Sequence, residues 1–304
     1  MKIQTLLFGA GQGAGVFIDN TASEREFVGF LDNDQRKFGK QFYGIRVYAP
    51  ADVKSLQFDE IVITTQWAID VKNQLLNELD IPDKKIILPH KNLLKKPTPF
   101  VQKETLGLAR LIVLELSSLA QKLDVPMVVD FGTLLGLVRD DDIIPWDDDV
   151  DFSVPLSFKN EAEELLLNFL SLELGGVNWR VERIIDKNEN VSGLLLKFSC
   201  PSQYLNEFTT SICFREVRNG QALHLPSLGM WYAPEKHFKD IDKIFWREQI
   251  IQVPLDYEDY LTFQYGDWKT PKKDMQLTDY ANLNTVSFQE VELASLQSVI
   301  IQKG

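Results

Sequence analysis

The first ninety residues alternate short apolar segments with segments of helical periodicity, and this alternation strongly limits how the chain can fold. Helical patterns occupy the stretch from the first glycines to Asn20 and the stretch AIDVKNQLLNELD. The extended, strand-like segments around them are IQTLLFG, REFVGFLD, GIRVYAP, DEIVITT and KKIILP. Strands that alternate with helices in this way predict a parallel sheet with helices on its faces.

A glycine-rich turn joins the first strand to the first helix. Gly9, Gly11 and Ala14 of GAGQGA satisfy the pattern G-x-G-x-x-[G/A], and Asp32 ends the second strand. Such glycines let backbone N–H groups approach a pyrophosphate, and an acid at the position of Asp32 suits a ribose hydroxyl. Similar turns also occur without a ligand. The motif therefore leaves two alternatives, a site for a nucleotide or nucleotide sugar and a purely structural junction.

The charge of the chain changes at a linker-like stretch. Residues 1–98 carry a net charge of +1 and the remainder −13, which together give −12. The stretch KNLLKKPTPF, residues 91–100, contains two prolines and three lysines. We therefore predict two domains, residues 1–95 and 96–304. The acidic second domain disfavours nucleic acid as a partner and strong electrostatic attachment to anionic lipid.

Composition narrows the class of protein and its compartment. An apolar fraction of 44% with 11% aromatic residues is enough for packed cores. We expect no transmembrane segment, because no apolar run approaches the roughly 18 residues that a span needs. Cys200 and Cys213 form neither a C-x-x-C pair nor a disulfide framework, which suits a reducing compartment. We therefore expect a cytoplasmic protein, with peripheral attachment at the inner face of the membrane as an alternative.

Seven aspartates occupy the twelve positions from Asp140 to Asp151, directly before an apolar strand. In IPWDDDVDFSV, apolar residues alternate with Asp149 and Asp151, so we expect these two carboxylates on one face of the strand. A solvated acidic turn would explain the charge, but the interleaved apolar residues favour partial burial. An EF-hand loop that starts at Asp147 fails because phenylalanine stands at positions six and twelve.

A metal site is the remaining interpretation of the aspartates. Asp149 and Asp151, with Asp147 nearby, offer the carboxylate oxygens that Mg²⁺ prefers, and phosphate oxygens complete its coordination. Mn²⁺ is an alternative ion. Upstream, Gly132 and Thr133 open the short helix TLLGLVR after the strand VPMVVDFG. The start of that helix offers backbone N–H groups and a hydroxyl to a phosphate.

These motifs resemble known families. A strand, G-[S/T] and a helix, followed by D-h-D on the next strand, is the pattern of the nucleotidyltransferase fold. GTLLGLVR…IPWDDDVDFSV resembles the LicD family, whose relatives include fukutin and fukutin-related protein. PLDYEDYLTFQYGDW, residues 254–268, resembles the closing element of that family. Residues 1–90, with GAG, VGFLDND and G-x-x-V, resemble the small Rossmann-like domain of CapD-type polysaccharide-biosynthesis proteins.

The resemblance implies a fold and an activity. The fold is an N-terminal Rossmann-like parallel-sheet domain followed by a C-terminal nucleotidyltransferase-like α+β domain. The activity is Mg²⁺-dependent transfer of phosphocholine or an alditol phosphate from a CDP-linked donor to a hydroxyl of a cell-surface glycan. Lipopolysaccharide, capsule and teichoic acid, including lipid-linked forms, are the acceptors that it suggests.

The resemblance also implies roles for individual residues. Asp149 and Asp151 hold the metal, and Asp147 is either a third ligand or the base that takes the acceptor proton. Gly132 and Thr133 meet the phosphates. Arg139 offers a planar fork to the pyrophosphate oxygens, or else serves as a structural counter-ion for the aspartates.

One departure from the LicD pattern keeps other functions open. Family members often carry an acid in a later strand that resembles V-D-I-F, but TTSICFREV has Ser211 there, with Glu216 further on as a substitute. A sugar-nucleotide-binding scaffold with an inactive transferase domain is therefore one alternative. An NAD-dependent sugar-nucleotide oxidoreductase is another. It is disfavoured because the Tyr-x-x-x-Lys patterns at Tyr232 and Tyr265 contain a proline and a glycine and do not look helical.

Overall fold

The computed structural model describes residues 2–90, 93–94, 98–172, 174–200, 205–272, 280 and 283–303. It divides into two compact units between residues 96 and 97, close to the expected boundary. Residues 285–292 nevertheless belong to the first unit, where Val286 is buried and its backbone N–H bonds to the Asp70 carboxylate. The expected second domain is thus interrupted, because the return of the chain is a tertiary contact that linker composition does not encode.

The first unit is built on a parallel sheet, as the alternating pattern predicts. Its helices and strands are β1 (Ile3–Phe8), α1 (Gln12–Thr21), β2 (Arg25–Leu31), β3 (Gln41–Phe42), β4 (Ile45–Tyr48), β5 (Glu60–Ile63), α2 (Ala68–Asn77) and β6 (Ile86–Ile87). The strand order is β3-β4-β2-β1-β5-β6, and every neighbouring pair is parallel except β3 and β4. The five parallel strands follow the order 3-2-1-4-5 of a doubly wound sheet. The Rossmann-like prediction is confirmed.

The second unit is a mixed α+β structure. Its elements are α3 (Lys103–Lys122), β7 (Val128–Val129), α4 (Phe131–Arg139), β8 (Asp149–Pro155), α5 (Lys159–Leu170), β9 (Asn178–Ile185), β10 (Val191–Ser199), β11 (Thr209–Arg218), β12 (Gln221–His224), β13 (Tyr232–Pro234), β14 (Ile241–Trp246), β15 (Gln249–Pro254) and α6 (Tyr257–Tyr265). Near the C-terminus, α7 (Phe288–Ala294) lies mostly in the first unit, and β16 (Gln297–Lys303) belongs to the second.

One sheet organises most strands of this unit. Its order is β13-β12-β11-β10-β9-β16, with β8 parallel to β11 and β7 antiparallel to β8. On β8 the apolar residues Val150 and Phe152 are buried, while Asp149 and Asp151 are half-buried on the other face. The alternation along the sequence therefore sets which side chains enter the core and which form the acidic face.

The buried apolar side chains form one large cluster in this unit. α3 buries one stripe of apolar residues against it, and α6 contributes Tyr260, which is fully buried. In the part of the chain that the structure describes, no helix combines the length and apolar character needed to cross a bilayer.

Candidate active site

The turn between β7 and α4 holds the backbone of the acidic strand. α4 begins at Phe131, two residues earlier than the sequence suggests, because the Asp130 carboxylate caps it by accepting the Phe131 N–H at 2.7 Å. The Asp130 N–H donates to the carbonyl of Asp151 at 3.0 Å, and the Asp151 N–H donates to Thr133 Oγ1 at 2.9 Å. Both backbone polar groups of Asp151 are therefore fixed by this turn.

Gly132 allows a carboxylate to lie against the first turn of α4. A Cβ atom at Gly132 would lie 2.0 Å from Oδ2 of Asp147. The Asp147 N–H donates to the Ile144 carbonyl at 3.0 Å, and its Oδ1 accepts the Asp148 N–H at 3.1 Å. Glycine therefore permits this close approach of the carboxylate, and it is not needed for an unusual backbone angle.

Three consecutive carboxylates converge beside this turn. One oxygen each from Asp147, Asp148 and Asp149 lie within 4.8 Å of one another, and all three residues are half-buried. Oxygen ligands at this separation fit a hard divalent cation such as Mg²⁺. The sequence prediction did not include Asp148, because strict strand alternation places it on the opposite face. β8 begins only at Asp149, so the turn before it brings Asp148 to the same side.

Asp151 lies beyond this group of three, with a partner on the neighbouring strand. Ser211 stands in register with Asp151 in the parallel pair of β8 and β11, and its hydroxyl donates to Oδ1 of Asp151. Ser211 thus occupies the position expected for the missing acid. Glu216 does not replace it, because it lies five residues further along on the opposite face of β11, and its carboxylate accepts from Arg218. The suggestion that Glu216 substitutes is wrong.

Two of the predicted phosphate ligands have structural contacts. Thr133 is buried, and its hydroxyl oxygen holds the β8 backbone. Arg139 ends the nine-residue helix α4, about 10 Å from Gly132 at 1.5 Å per residue. Its guanidinium donates to both oxygens of Asp140 at 2.9 and 2.7 Å. These contacts match the counter-ion alternative for Arg139.

A buried polar network lies directly behind the turn, and sequence reasoning missed it. Asp130 is fully buried, and its Oδ2 accepts from Ser153 Oγ at 2.5 Å and from Arg215 Nη2 at 2.6 Å. Its Oδ1 accepts the Tyr260 hydroxyl at 2.5 Å. The available signals were an aspartate immediately before a helix start, an arginine inside an apolar strand, and a tyrosine of the closing element.

Charge is balanced within this network. Burial acts to raise the pKa of Asp130, but the Arg215 charge and the hydrogen bonds from Ser153 and Tyr260 outweigh it and lower that pKa. Burial likewise opposes the charge on Arg215, yet Asp130 raises the pKa of Arg215. Nearby, burial and then the Arg215 charge lower the pKa of His224 to about 3, so this imidazole is neutral.

In the first unit, the glycine turn is ordered by its own aspartate. Oδ2 of Asp32 accepts the Ala10 N–H and the Lys37 ammonium, each at 2.8 Å, and Oδ1 accepts the Asp34 N–H at 2.9 Å. A ribose diol would have to compete with these donors. Gly9 has a φ of +108°, Ala14 is buried, and a Cβ at Gly11 would meet nothing within 4 Å. The space beside the Gly11 Cα is therefore open, while its N–H donates to the Gly9 carbonyl at 3.1 Å.

The pairs that an oxidoreductase would need are not formed. Tyr232 lies in strand β13, and Tyr265 is the last residue of α6, directly before Gly266. Neither places a lysine one helical turn away. Tyr265 and Trp268 pack against the core of the second unit.

The fold and the site together define an α/β protein with a nucleotidyltransferase-type acidic strand in its second unit. Residues 124–191 match the family described as LicD/FKTN/FKRP, nucleotidyltransferase domain, and residues 1–87 match the family described as C2185-like, N-terminal. Along the chain, a C2185-like N-terminal domain is thus followed by a LicD-type domain. The LicD match supports a transferase role on glycans in general.

Solved structures give only distant similarity, and the comparison with curated proteins gives no match. UDP-D-quinovosamine 4-dehydrogenase from Vibrio fischeri is 22% identical over 27% of this chain and 75% of that protein, with a TM-score of 0.23. ANT(2″)-Ia in complex with adenylyl-2″-tobramycin is 12% identical over 51% and 76%, with a TM-score of 0.30. An oxidoreductase from Thermotoga maritima is 13% identical over 92% of both chains, with a TM-score of 0.27. Sequence identities and TM-scores this low give no indication of the function of this chain.

Proposed function

We propose that the second unit is a Mg²⁺-dependent phosphotransferase of LicD type. It moves phosphocholine or an alditol phosphate from a CDP-linked donor to a hydroxyl of a cell-surface glycan. The observation that carries this proposal is the convergence of three carboxylates, Asp147, Asp148 and Asp149, beside a glycine-opened turn within the matched segment. Carboxylate oxygens so close together repel one another unless a bound cation or protons neutralise their charge.

The chemistry asks the protein mainly to position reactants and to neutralise charge. An acceptor hydroxyl attacks the phosphorus that bears the small alcohol, and CMP leaves with the electron pair of the broken P–O bond. When bound, Mg²⁺ supplies charge stabilisation for the phosphate oxygens. Asp149 and Asp151 hold it, Asp148 is an additional candidate ligand, and Asp147 either completes the ligand set or takes the acceptor proton.

The turn explains how these side chains keep their places. Thr133 and Asp130 hold both backbone polar groups of Asp151, and Gly132 admits the Asp147 carboxylate. The N–H groups that follow Phe131 in the first turn of α4 lie at the positive end of the helix dipole, so they are candidate partners for a donor phosphate.

Substitution of the strand aspartates tests this proposal. Asp149→Asn and Asp151→Asn should each abolish Mg²⁺-dependent thermal shifts by CDP-choline, CDP-ribitol or CDP-glycerol, while the apo proteins keep or gain stability because like charges are relieved. Asp141→Asn makes the same chemical change in an exposed residue of the same aspartate run and serves as control. Unchanged CDP-ligand affinity in both strand variants would contradict the assignment.

For the first unit we propose binding of a nucleotide or nucleotide sugar at the Gly9–Gly11 turn. The open space at Gly11 and the absence of a side-chain cap on α1 support it, since both leave the first N–H groups of that helix accessible to a pyrophosphate. The N–H groups of Gly9, Ala10 and Gly11 donate to protein oxygens and hold the shape of the turn. Asp32 is engaged with Lys37, so the backbone carries this recognition. In calorimetry on the full chain, Gly11→Val should abolish binding. No binding across a broad nucleotide panel would leave this unit as a scaffold.

A further inference from the structure

Two segments far apart in the sequence meet at one buried carboxylate. Asp130 lies at the start of α4, and Tyr260 lies in α6, within the closing element of the second unit. The Tyr260 hydroxyl donates to Asp130 at 2.5 Å and accepts from Gln264 Nε2 at 2.9 Å and from Arg215 Nη2 at 3.2 Å. Arg215, from β11, is itself buried. With Ser153 of β8, the Asp130 carboxylate is therefore held from three elements at once.

Asp130 is connected to the candidate metal ligands through the backbone. Its N–H bonds to the Asp151 carbonyl, and three residues later Thr133 accepts the Asp151 N–H. Between them, Gly132 lies against the Asp147 carboxylate. A shift of the Asp130 carboxylate would therefore move the turn that sets both Asp147 and Asp151.

Arg215 fixes the same turn through Phe131. Phe131 has a φ of +45°, an uncommon and strained backbone conformation for a bulky residue, which persists only where the surroundings enforce it. The Arg215 guanidinium lies 5.3 Å from the Phe131 ring centroid, a cation–π contact. The Phe131 ring also packs edge-on against His224 and Trp231. The turn is held in a conformation that it would not keep by itself.

We propose that Tyr260 and Arg215 are positioning residues for the metal-binding carboxylates and that they act through Asp130. The inference rests on the proposed function, because it assigns these residues to the same metal site. Stability alone does not require such a network, since apolar residues of similar volume often replace a buried ion pair without loss. Its position behind the turn gives it a second role, which is to hold the acidic strand in one geometry.

Removal of the Tyr260 hydroxyl tests the proposal with little change in packing. Tyr260→Phe keeps the ring and deletes one donor to Asp130. Tyr257→Phe makes the same change one turn earlier on α6, in a residue that packs against the core. We expect Tyr260→Phe to weaken Mn²⁺ binding about 10-fold, the lower end of the cost of losing a group that orients a metal ligand, because Tyr260 acts through Asp130. Tyr257→Phe should leave Mn²⁺ binding unchanged.

The measurement is Mn²⁺ binding to the full chain without nucleotide, followed by the electron paramagnetic resonance of free Mn²⁺. Asp149→Asn identifies the part of the signal that belongs to the site. Ser153→Ala removes a different donor from the same Asp130 oxygen that Arg215 contacts and should weaken Mn²⁺ binding in the same direction, even where Tyr260→Phe fails to fold.

The outcomes separate this inference from the function on which it rests. Weaker Mn²⁺ binding in Tyr260→Phe and Ser153→Ala, with wild-type affinity in Tyr257→Phe, supports it. Wild-type affinity in Tyr260→Phe or Ser153→Ala, combined with a lower melting temperature, shows a purely structural network and overturns it alone. A wild-type chain that binds no Mn²⁺ at Asp149 overturns the proposed function as well.

Discussion

Replacement of Gly132 by alanine tests whether the Asp147 carboxylate must stand where the structure places it. An ideal Cβ at Gly132 would lie 2.0 Å from Oδ2 of Asp147, whereas real Cβ contacts stay beyond 3.0 Å. The carboxylate must therefore move by about 1 Å, several times the roughly 0.2 Å tolerance of a metal–ligand distance. The loss of a group that orients a metal ligand costs up to about 100-fold in metal affinity, or roughly 2.7 kcal/mol, and we expect a displaced ligand to cost as much.

The stability of Gly132→Ala should not fall with its Mn²⁺ affinity. Gly132 lies in the first turn of α4 and its φ is not positive, so alanine fits the backbone. Alanine in place of a helical glycine stabilises by about 0.5–1 kcal/mol. We therefore expect Gly132→Ala to lose about 100-fold in Mn²⁺ affinity while its free energy of unfolding in urea stays level or rises.

Gly107→Ala is the matched control. Gly107 lies within α3, and a Cβ there would meet nothing within 4 Å. This variant should gain a similar stability and bind Mn²⁺ with the affinity of the unmodified chain. The reasoning is refuted if Gly132→Ala keeps full Mn²⁺ affinity, because Asp147 would then not be a metal ligand at its observed position and only its role as the base would be left.

Three further outcomes follow from the same contacts. Ser211→Asp adds a carboxylate beside Asp151, so melting temperature should fall in EDTA and rise with Mn²⁺ by more than in the unmodified chain; an equal rise would contradict this. His224 has a folded-state pKa of about 3, lowered by burial and then by Arg215, against about 6.5 unfolded. Its contribution to the free energy of unfolding is present above pH 6.5 and is lost as pH falls toward 3. Between pH 7 and pH 5 the free energy of unfolding in urea should therefore fall by about 2 kcal/mol less in His224→Gln than in the unmodified chain, and parallel pH profiles would exclude this role. Gly136→Ala places a Cβ 2.5 Å from the backbone carbonyl of Asp142, which cannot rotate away, so calorimetry should show about 1–3 kcal/mol of destabilisation, and an unchanged melting temperature would show that the turn can relax.

Local patterns along the chain already determine much of this architecture. Alternating strands and helices predict the parallel sheet of the first unit, and its strand order confirms the doubly wound arrangement. The alternation in DVDFSV predicts which side chains of β8 are buried, because strand geometry turns successive residues to opposite faces. Such properties depend on neighbours within one element, so a single sequence carries them.

Other features arise only when distant elements pack together. Asp130 acquires Arg215 and Tyr260, which are 85 and 130 residues away, through the register of β11 and the packing of α6. Register also places Ser211 beside Asp151 and directs Glu216 to the opposite face. The pairing of a buried polar atom is decided by which groups the folded chain brings within about 3 Å of it. The sequence by itself therefore determined the elements and the acidic face, and the tertiary structure decided which partners hold that face in place.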